Sequence, residues 1–158
     1  MEQPVTISRI QLANAVLGQV GQFPELLDMT YYLVAPEFLE GEFAGSFRDL
    51  QTLAGVTDWQ AEINDCDKCS RMAAMWAGVL NARTVNQHNL SHGALAMGQW
   101  NYKPSWSPSN HSINWFAYGV LVDDTHPEGI AVGFYEPAKR WIVSLSETEI
   151  SSCFKCAA

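Results

Sequence analysis

The chain has no cluster of lysine or arginine. Its 9 basic residues are outnumbered by 17 acidic ones, for a formal net charge of -8. A surface of that sign repels phosphate backbones and excludes a nucleic-acid partner. No apolar run approaches the ~20 residues that cross a bilayer, so no membrane partner is expected. The start MEQPVTISRI lacks both a basic leader and an apolar core, and a reducing interior is the expected compartment. Charged residues are few, 16% against 47% hydrophobic, a balance that excludes a disordered chain. Repeats and low-complexity segments are absent. His88 and His92 lack the glutamate of an HExxH zinc motif and read as a polar surface patch. Asp123 and Asp124 lack the ligand spacing of a calcium loop.

What is present is organised around residues 59–80, WQAEINDCDKCSRMAAMWAGVL. Met72, Ala73, Trp76, Val79 and Leu80 recur with a 3.6-residue period, which predicts a helix over about 67–82 with one buried face. Asp65 or Asp67 is placed to cap its start. Cys66 and Cys69 then lie at the electropositive helix end, where a thiolate is favoured over a thiol.

Elsewhere, Ser8 and Gln11 have capping-box spacing, with Ile7 and Leu12 as a hydrophobic staple. Ile10, Ala13, Val16, Leu17 and Val20 predict a helix face. Pro24 is placed to open a second helix over 25–34. Residues 36–46 read as a loop or broken helix, and Ser46 as the cap of a short helix through Leu53. The section 101–111, with two prolines, reads as a surface loop. Strands are expected from His111 to Val122, Ile130 to Tyr135 and Trp141 to Leu145, an antiparallel meander covered on both faces. His126 falls in the turn between the first two. Ser146 and Glu149 predict a last short helix carrying Cys153 and Cys156. Helices followed by a small antiparallel sheet argue for a single α+β domain over 1–158. Trp100, Trp106 and Trp115 are candidates either for a cleft near His111 or for core.

The pattern around Cys66, the HSIN at 111–114 and the FYEP at 134–137 resemble the papain-like modules of phage proteins. The C-terminal domain of the fairy-ring mushroom agglutinin is related to that group. The resemblance covers residues 59–146 and implies a papain-like fold with N-terminal helices packed on the sheet. It implies a cysteine hydrolase, cysteine protease-like, that cleaves peptide amides or similar acyl bonds. Cys66 would be the nucleophile, His111 the base and acid, and Glu136 the group that orients the imidazole, with Asn114 in support. Gln60 and Asn64 are the nearest upstream amides for an oxyanion. Ala138 stands where the pattern has glutamine, and Cys69 where it has an aromatic residue. The implied setting is the host cytoplasm or a virion. The implied partner is a protein or peptide, with a homo-oligomer or virion component as further options.

The cysteines have a competing use. All four fall in CxxC pairs, Cys66 with Cys69 and Cys153 with Cys156, the spacing of a tetrahedral zinc site. If zinc holds these thiolates, none attacks a carbonyl. The protein is then catalytically silent, zinc-stapled, and binds a host or virion protein. A carbohydrate-associated accessory is a third expectation.

Overall fold

The computed structural model describes residues 4–22, 24–61, 65–123 and 126–152. The chain opens with strand β1 (Thr6–Ser8) and helix α1 (Arg9–Val20). The capping box at α1 is formed: Ser8 Oγ accepts from Gln11 N at 3.2 Å and Gln11 Oε1 accepts from Ser8 N at 2.9 Å. The helix ends at Gly21, whose φ of 71° suits a residue without Cβ. Its buried face is Leu12, Val16 and Val20, while Ile10 is exposed. The phase read from the periodicity is therefore turned toward Leu12.

The helix expected over 25–34 is not formed. Residues 24–28 lack regular structure, and Thr30–Tyr32 form strand β2. β2 pairs antiparallel with β1 and parallel with β3 (Ala94–Leu95), making a small three-stranded sheet. Pro36 instead opens one continuous helical run: α2 (Pro36–Phe38), a widened π turn (Leu39–Phe43) and α3 (Ala44–Ala54). Leu39, Phe43 and Phe47 in this run are all fully buried. Phe43 stacks on Phe47 at 5.6 Å and meets Tyr135 edge-on at 5.6 Å. Ser46 lies inside α3, where its hydroxyl accepts from Trp76 Nε1 at 2.9 Å.

Helix α4 (Cys66–Gln87) is longer than its periodicity suggested. It is followed by β3, β4 (Met97–Tyr102), β5 (His111–Asp123), β6 (His126–Glu136), β7 (Trp141–Val143) and α5 (Glu147–Ser151). Strands β4-β5-β6-β7 form an antiparallel sheet in that order. The meander was expected; β4 and the three strands of the first sheet were not. His126 pairs with Asp123 at the end of the β5–β6 hairpin rather than lying in a turn. The capping box of α5 is formed as read, and Cys153 and Cys156 lie outside the described residues.

The larger sheet is covered on both faces. Ile113, Trp115 and Ala117 face the layer containing Leu12, Val16 and Val20 of α1. Phe116 and Tyr135 face Ala73, Ala77 and Leu80 of α4 and the aromatic run at Phe43 and Phe47. The two sheets join through small buried residues: Ala96 N bonds Tyr32 O, Ala117 N bonds Ala96 O, and Val34 N bonds Ala117 O.

Two glycines are fixed by close approach. A Cβ on Gly133 would lie 2.5 Å from the ring of Phe116, its cross-strand partner, and one on Gly98 would lie 2.5 Å from Trp115 Nε1. Gly133→Ala should therefore cost about 1–3 kcal/mol through overpacking. In urea denaturation the midpoint falls while the slope holds.

Candidate functional site

Asp65 is the extended N-cap of α4, and the bond from Cys69 N to Asp65 O at 2.9 Å closes the first turn. The Asp65 carboxylate pairs with Lys68 Nζ at 3.2 Å and makes no side-chain cap. The helix start is instead docked on β5 by polar ties. Ser70 Oγ and Ser112 Oγ are 2.8 Å apart, Asn114 Nδ2 donates to Ser70 O at 2.7 Å, and Gln99 Nε2 donates to Ser112 Oγ at 2.8 Å. This brings Cys66 against the first residue of β5, His111.

Asn114 lies opposite Tyr135, and continuing that register sets Glu136 beside Ile113. His111 and Glu136 are then diagonal neighbours across the strand pair. His111 Nε2 meets Glu136 Oε2 at 2.5 Å. The other carboxylate oxygen accepts from Ala138 N at 3.3 Å. The imidazole also shares a hydrogen bond with the Cys66 side chain, and Nδ1 is the ring nitrogen that Glu136 leaves for it. Tyr102 and the exposed Trp106 cover the imidazole edge-on, their ring centres 5.7 and 5.4 Å away.

The charges follow from these contacts. The Cys66 thiol is lowered from its ordinary value by the hydrogen bond from His111, against the opposing effect of burial, and further by the Ser112 backbone N–H. Burial alone would lower His111, but its bonds to Cys66 and Glu136 raise it to about 9. Cys69 is buried and pushed up to about 11, by burial first and then by the charge of Glu136. The site thus favours a charged imidazole and draws the Cys66 thiol toward the thiolate, while the second thiol, Cys69, stays protonated.

The pair sets a pH dependence of stability. The His111 contribution is complete below the unfolded imidazole value of ~6.5 and fades as pH rises through about 9. The Cys66 contribution runs the other way: it is complete above the unfolded thiol value of ~8.5 and is lost as pH falls through the lowered folded value. Between those limits one group binds a proton on folding and the other releases one. Denaturation midpoints should therefore be level where the two windows overlap, up to about pH 8.5, fall toward acid once Cys66 takes its proton, and fall again as the imidazole discharges. His111→Ala should remove the plateau.

Cys66, His111 and Glu136 are thus brought together. The supporting residues are placed differently. Asn64 lies outside the described residues, and Gln60 is exposed in an isolated bridge before α4. Gln99 was not anticipated; its strand was read as weakly patterned, and its amide is engaged by Ser112 Oγ and by Asp67 O at 3.3 Å. Asn114 does not support the histidine: it is fully buried and ties Ser70 O to Gly98 O. Trp100 and Trp115 are buried in the layer facing α1, which leaves Trp106 alone of the three beside His111. Among the described residues no three His, Cys, Asp or Glu side chains converge as a metal cluster. The four-thiolate zinc expectation needs Cys153 and Cys156, outside that range.

A cavity of about 1260 Å³ runs along the other side of α4. Asp67, Arg71, Ala74, Gly78, Asn81 and Val85 form one wall, and residues 97–101 of β4 face them. The loop carrying Glu25 and Asp28 closes the far side, with Tyr31 and Trp115 also lining the space. Sequence periodicity gave no sign of it, because Ala74, Gly78 and Asn81 lie off the apolar face read from Met72 to Leu80.

The architecture defines the class: a mixed helix and two-sheet domain of the kind found in a fungal lectin. The solved structures it resembles include a crystal structure of Polyporus squamosus lectin bound to the human-type influenza-binding epitope Neu5Aca2-6Galb1-4GlcNAc. That match has a TM-score of 0.63 and 19% identity over 94% of this chain and 48% of the lectin chain. A PSL1a–E64 complex matches with a TM-score of 0.60 and 18% identity, over 94% of this chain and 49% of that one. The chain therefore spans about half the length of the proteins it resembles. No protein-family model and no curated protein matches the sequence.

These findings correct three expectations. The resemblance to papain-like phage modules gives way to the lectin fold, which covers nearly the whole chain rather than residues 59–146. The helix-then-sheet architecture gives way to two sheets, because β1 and β2 interrupt the N-terminal helices. The cysteine-hydrolase reading is withdrawn with the resemblance that carried it. Of the amides in question, Gln60 is exposed ahead of α4, Asn64 lies outside the described residues, and Gln99 already donates elsewhere. Among the described residues no helix is long and apolar enough to cross a membrane.

Proposed function

We propose that this chain is a binding module for a peptide segment of another protein, taken up along α4 as an extended strand bearing basic side chains. The cavity beside the helix is the observation that carries this reading. Its wall from Asp67 to Asn86 spans roughly 28 Å at 1.5 Å per residue, room for about eight extended residues. The lining carries the carboxylates of Glu25 and Asp28, while Asp67 is paired with Arg71 at 3.8 Å and with Lys68 at 3.7 Å, within a chain of net charge -8. A cationic ligand suits that balance. Asp67 is also the residue after Cys66, so the thiolate site with His111 and Glu136 lies at one end of the groove.

Fluorescence anisotropy with labelled basic and acidic nonapeptides tests this. Basic peptides should bind, more weakly as salt rises, and be recovered intact. Gly78→Trp fills the groove from a position where an added Cβ meets nothing within 4 Å. It should weaken binding at least tenfold with thermal stability retained. Equal binding of acidic peptides, indifference to Gly78→Trp, or cleavage of the peptide would overturn the reading.

A further inference from the structure

The peptide groove leaves one sequence feature unused, the CxxC pair. Cys66 and Cys69 are the first and fourth residues of α4. Helical geometry separates the Cα atoms of residues i and i+3 by about 5 Å, within the range a disulfide bridges. One helical turn thus sets the two Cα atoms at a separation that a disulfide spans.

The two sulfurs have unlike surroundings. Cys66 is half-buried, free of disulfide, and held by the imidazole of His111 and the N–H of Ser112. Cys69 is 5% exposed, and Gln51 Nε2 donates to its sulfur at 3.8 Å. Arg140 Nη1 in turn holds Gln51 Oε1 at 3.4 Å. An accessible thiolate one turn ahead of a sheltered thiol is the division of labour that thiol–disulfide exchange requires: one sulfur attacks and the other resolves.

We propose that Cys66 and Cys69 form a dithiol centre that reduces an accessible disulfide and is itself oxidised to an intrachain disulfide. In the first step the Cys66 thiolate attacks one sulfur of the substrate, a Cys66–substrate bond forms, and the substrate disulfide breaks. The departing thiolate takes the imidazolium proton of His111. In the second step the Cys69 sulfur attacks the Cys66 sulfur, the mixed disulfide breaks, and the second leaving group takes the Cys69 proton. Two electrons pass from the dithiol to the substrate, which leaves as two thiols. A dithiol reductant restores the starting state. The unequal titration of the two cysteines, Cys66 lowered and Cys69 raised to about 11, agrees with this assignment of attacker and resolver.

The test uses the full chain, both as it stands and with Cys153→Ser and Cys156→Ser so that only two thiols remain. Each is treated with glutathione disulfide, and separately with a peptide containing one internal disulfide, quenched with iodoacetamide, and weighed by mass spectrometry. The expected product is two hydrogens lighter, takes up no iodoacetamide at residues 66 and 69, and carries no glutathione. Cys69→Ser should instead accumulate one glutathione on Cys66, and Cys66→Ser should slow oxidation by roughly 100-fold. Reaction with glutathione disulfide alone would define a small-thiol substrate, and reaction with both a general one. A native chain that keeps glutathione on Cys66 beside an alkylatable Cys69 overturns the proposal. So does a chain that reacts with neither disulfide, or one that holds zinc across both thiols.

Discussion

Iodoacetamide at about pH 6 should modify Cys66 and leave Cys69 untouched, and His111→Ala should slow that reaction roughly 100-fold. The magnitude follows from the thiolate fraction. With the His111 hydrogen bond and the Ser112 N–H in place, the Cys66 thiol lies below its ordinary value, so its thiolate fraction exceeds that of a free cysteine. Removing the ring takes away the largest lowering contact and leaves burial, which acts in the opposite direction. Cys69, buried and near the charge of Glu136, stays a thiol. Glu136→Gln should have an intermediate effect, because it leaves the Cys66–His111 bond but removes the carboxylate that keeps the ring charged. Peptide mapping after timed labelling separates the two sulfurs. Equal rates at both, or no change in His111→Ala, would show that the thiolate–imidazolium pair does not form.

Phe43→Ala should destabilise the fold by about 3–5 kcal/mol, the largest single effect expected outside the site. The ring is fully buried and joins three elements: it stacks on Phe47, meets Tyr135 in β6, and lies 5.9 Å from Phe38. Its removal opens a cavity where the π turn meets the larger sheet, and the neighbouring helix turns are too constrained to collapse into it. Thermal unfolding should shift downward on the order of 10 °C. A loss below 1 kcal/mol would mean that this aromatic layer is not part of the cooperative core.

What the sequence revealed and what it hid divide along local and non-local lines. Both capping boxes, Ser8 with Gln11 and Ser146 with Glu149, were legible because each is a contact between residues three apart. The start of α4 and the strands after His111 were legible from period and β-branched or aromatic content. The three-residue strands β1 and β2 were not: neither is long enough to show alternation, and their pairing is made across the chain. Pro24 suggested a helix, but Tyr31 and Tyr32 bury their rings by pairing in a sheet, and tertiary contact outweighs the local signal. The loop or broken helix expected over 36–46 became a helical run with a π turn, in which Leu39 and Phe43 both reach the core. At the site, Cys66, His111 and Glu136 each terminate an element and could be read as such. Asn114 could not, since a polar residue inside a buried strand gives no hint of which carbonyl it will serve. The lectin fold was equally hidden, because it resides in the arrangement of two sheets rather than in any short motif.

The parallel pairing of β2 with β3 joins Tyr31 to Ala94 and Tyr32 to Leu95, contacts that close a long stretch of chain for little local gain. Loop closure of that span is entropically costly before its contacts form. The amino-terminal layer should therefore assemble last, onto a nucleus of α4 and the meander. Amide hydrogens of Thr30 to Tyr32 should exchange ahead of those of Ile113 to Ala117, so that partial opening begins at this seam while the thiolate-bearing helix end remains protected.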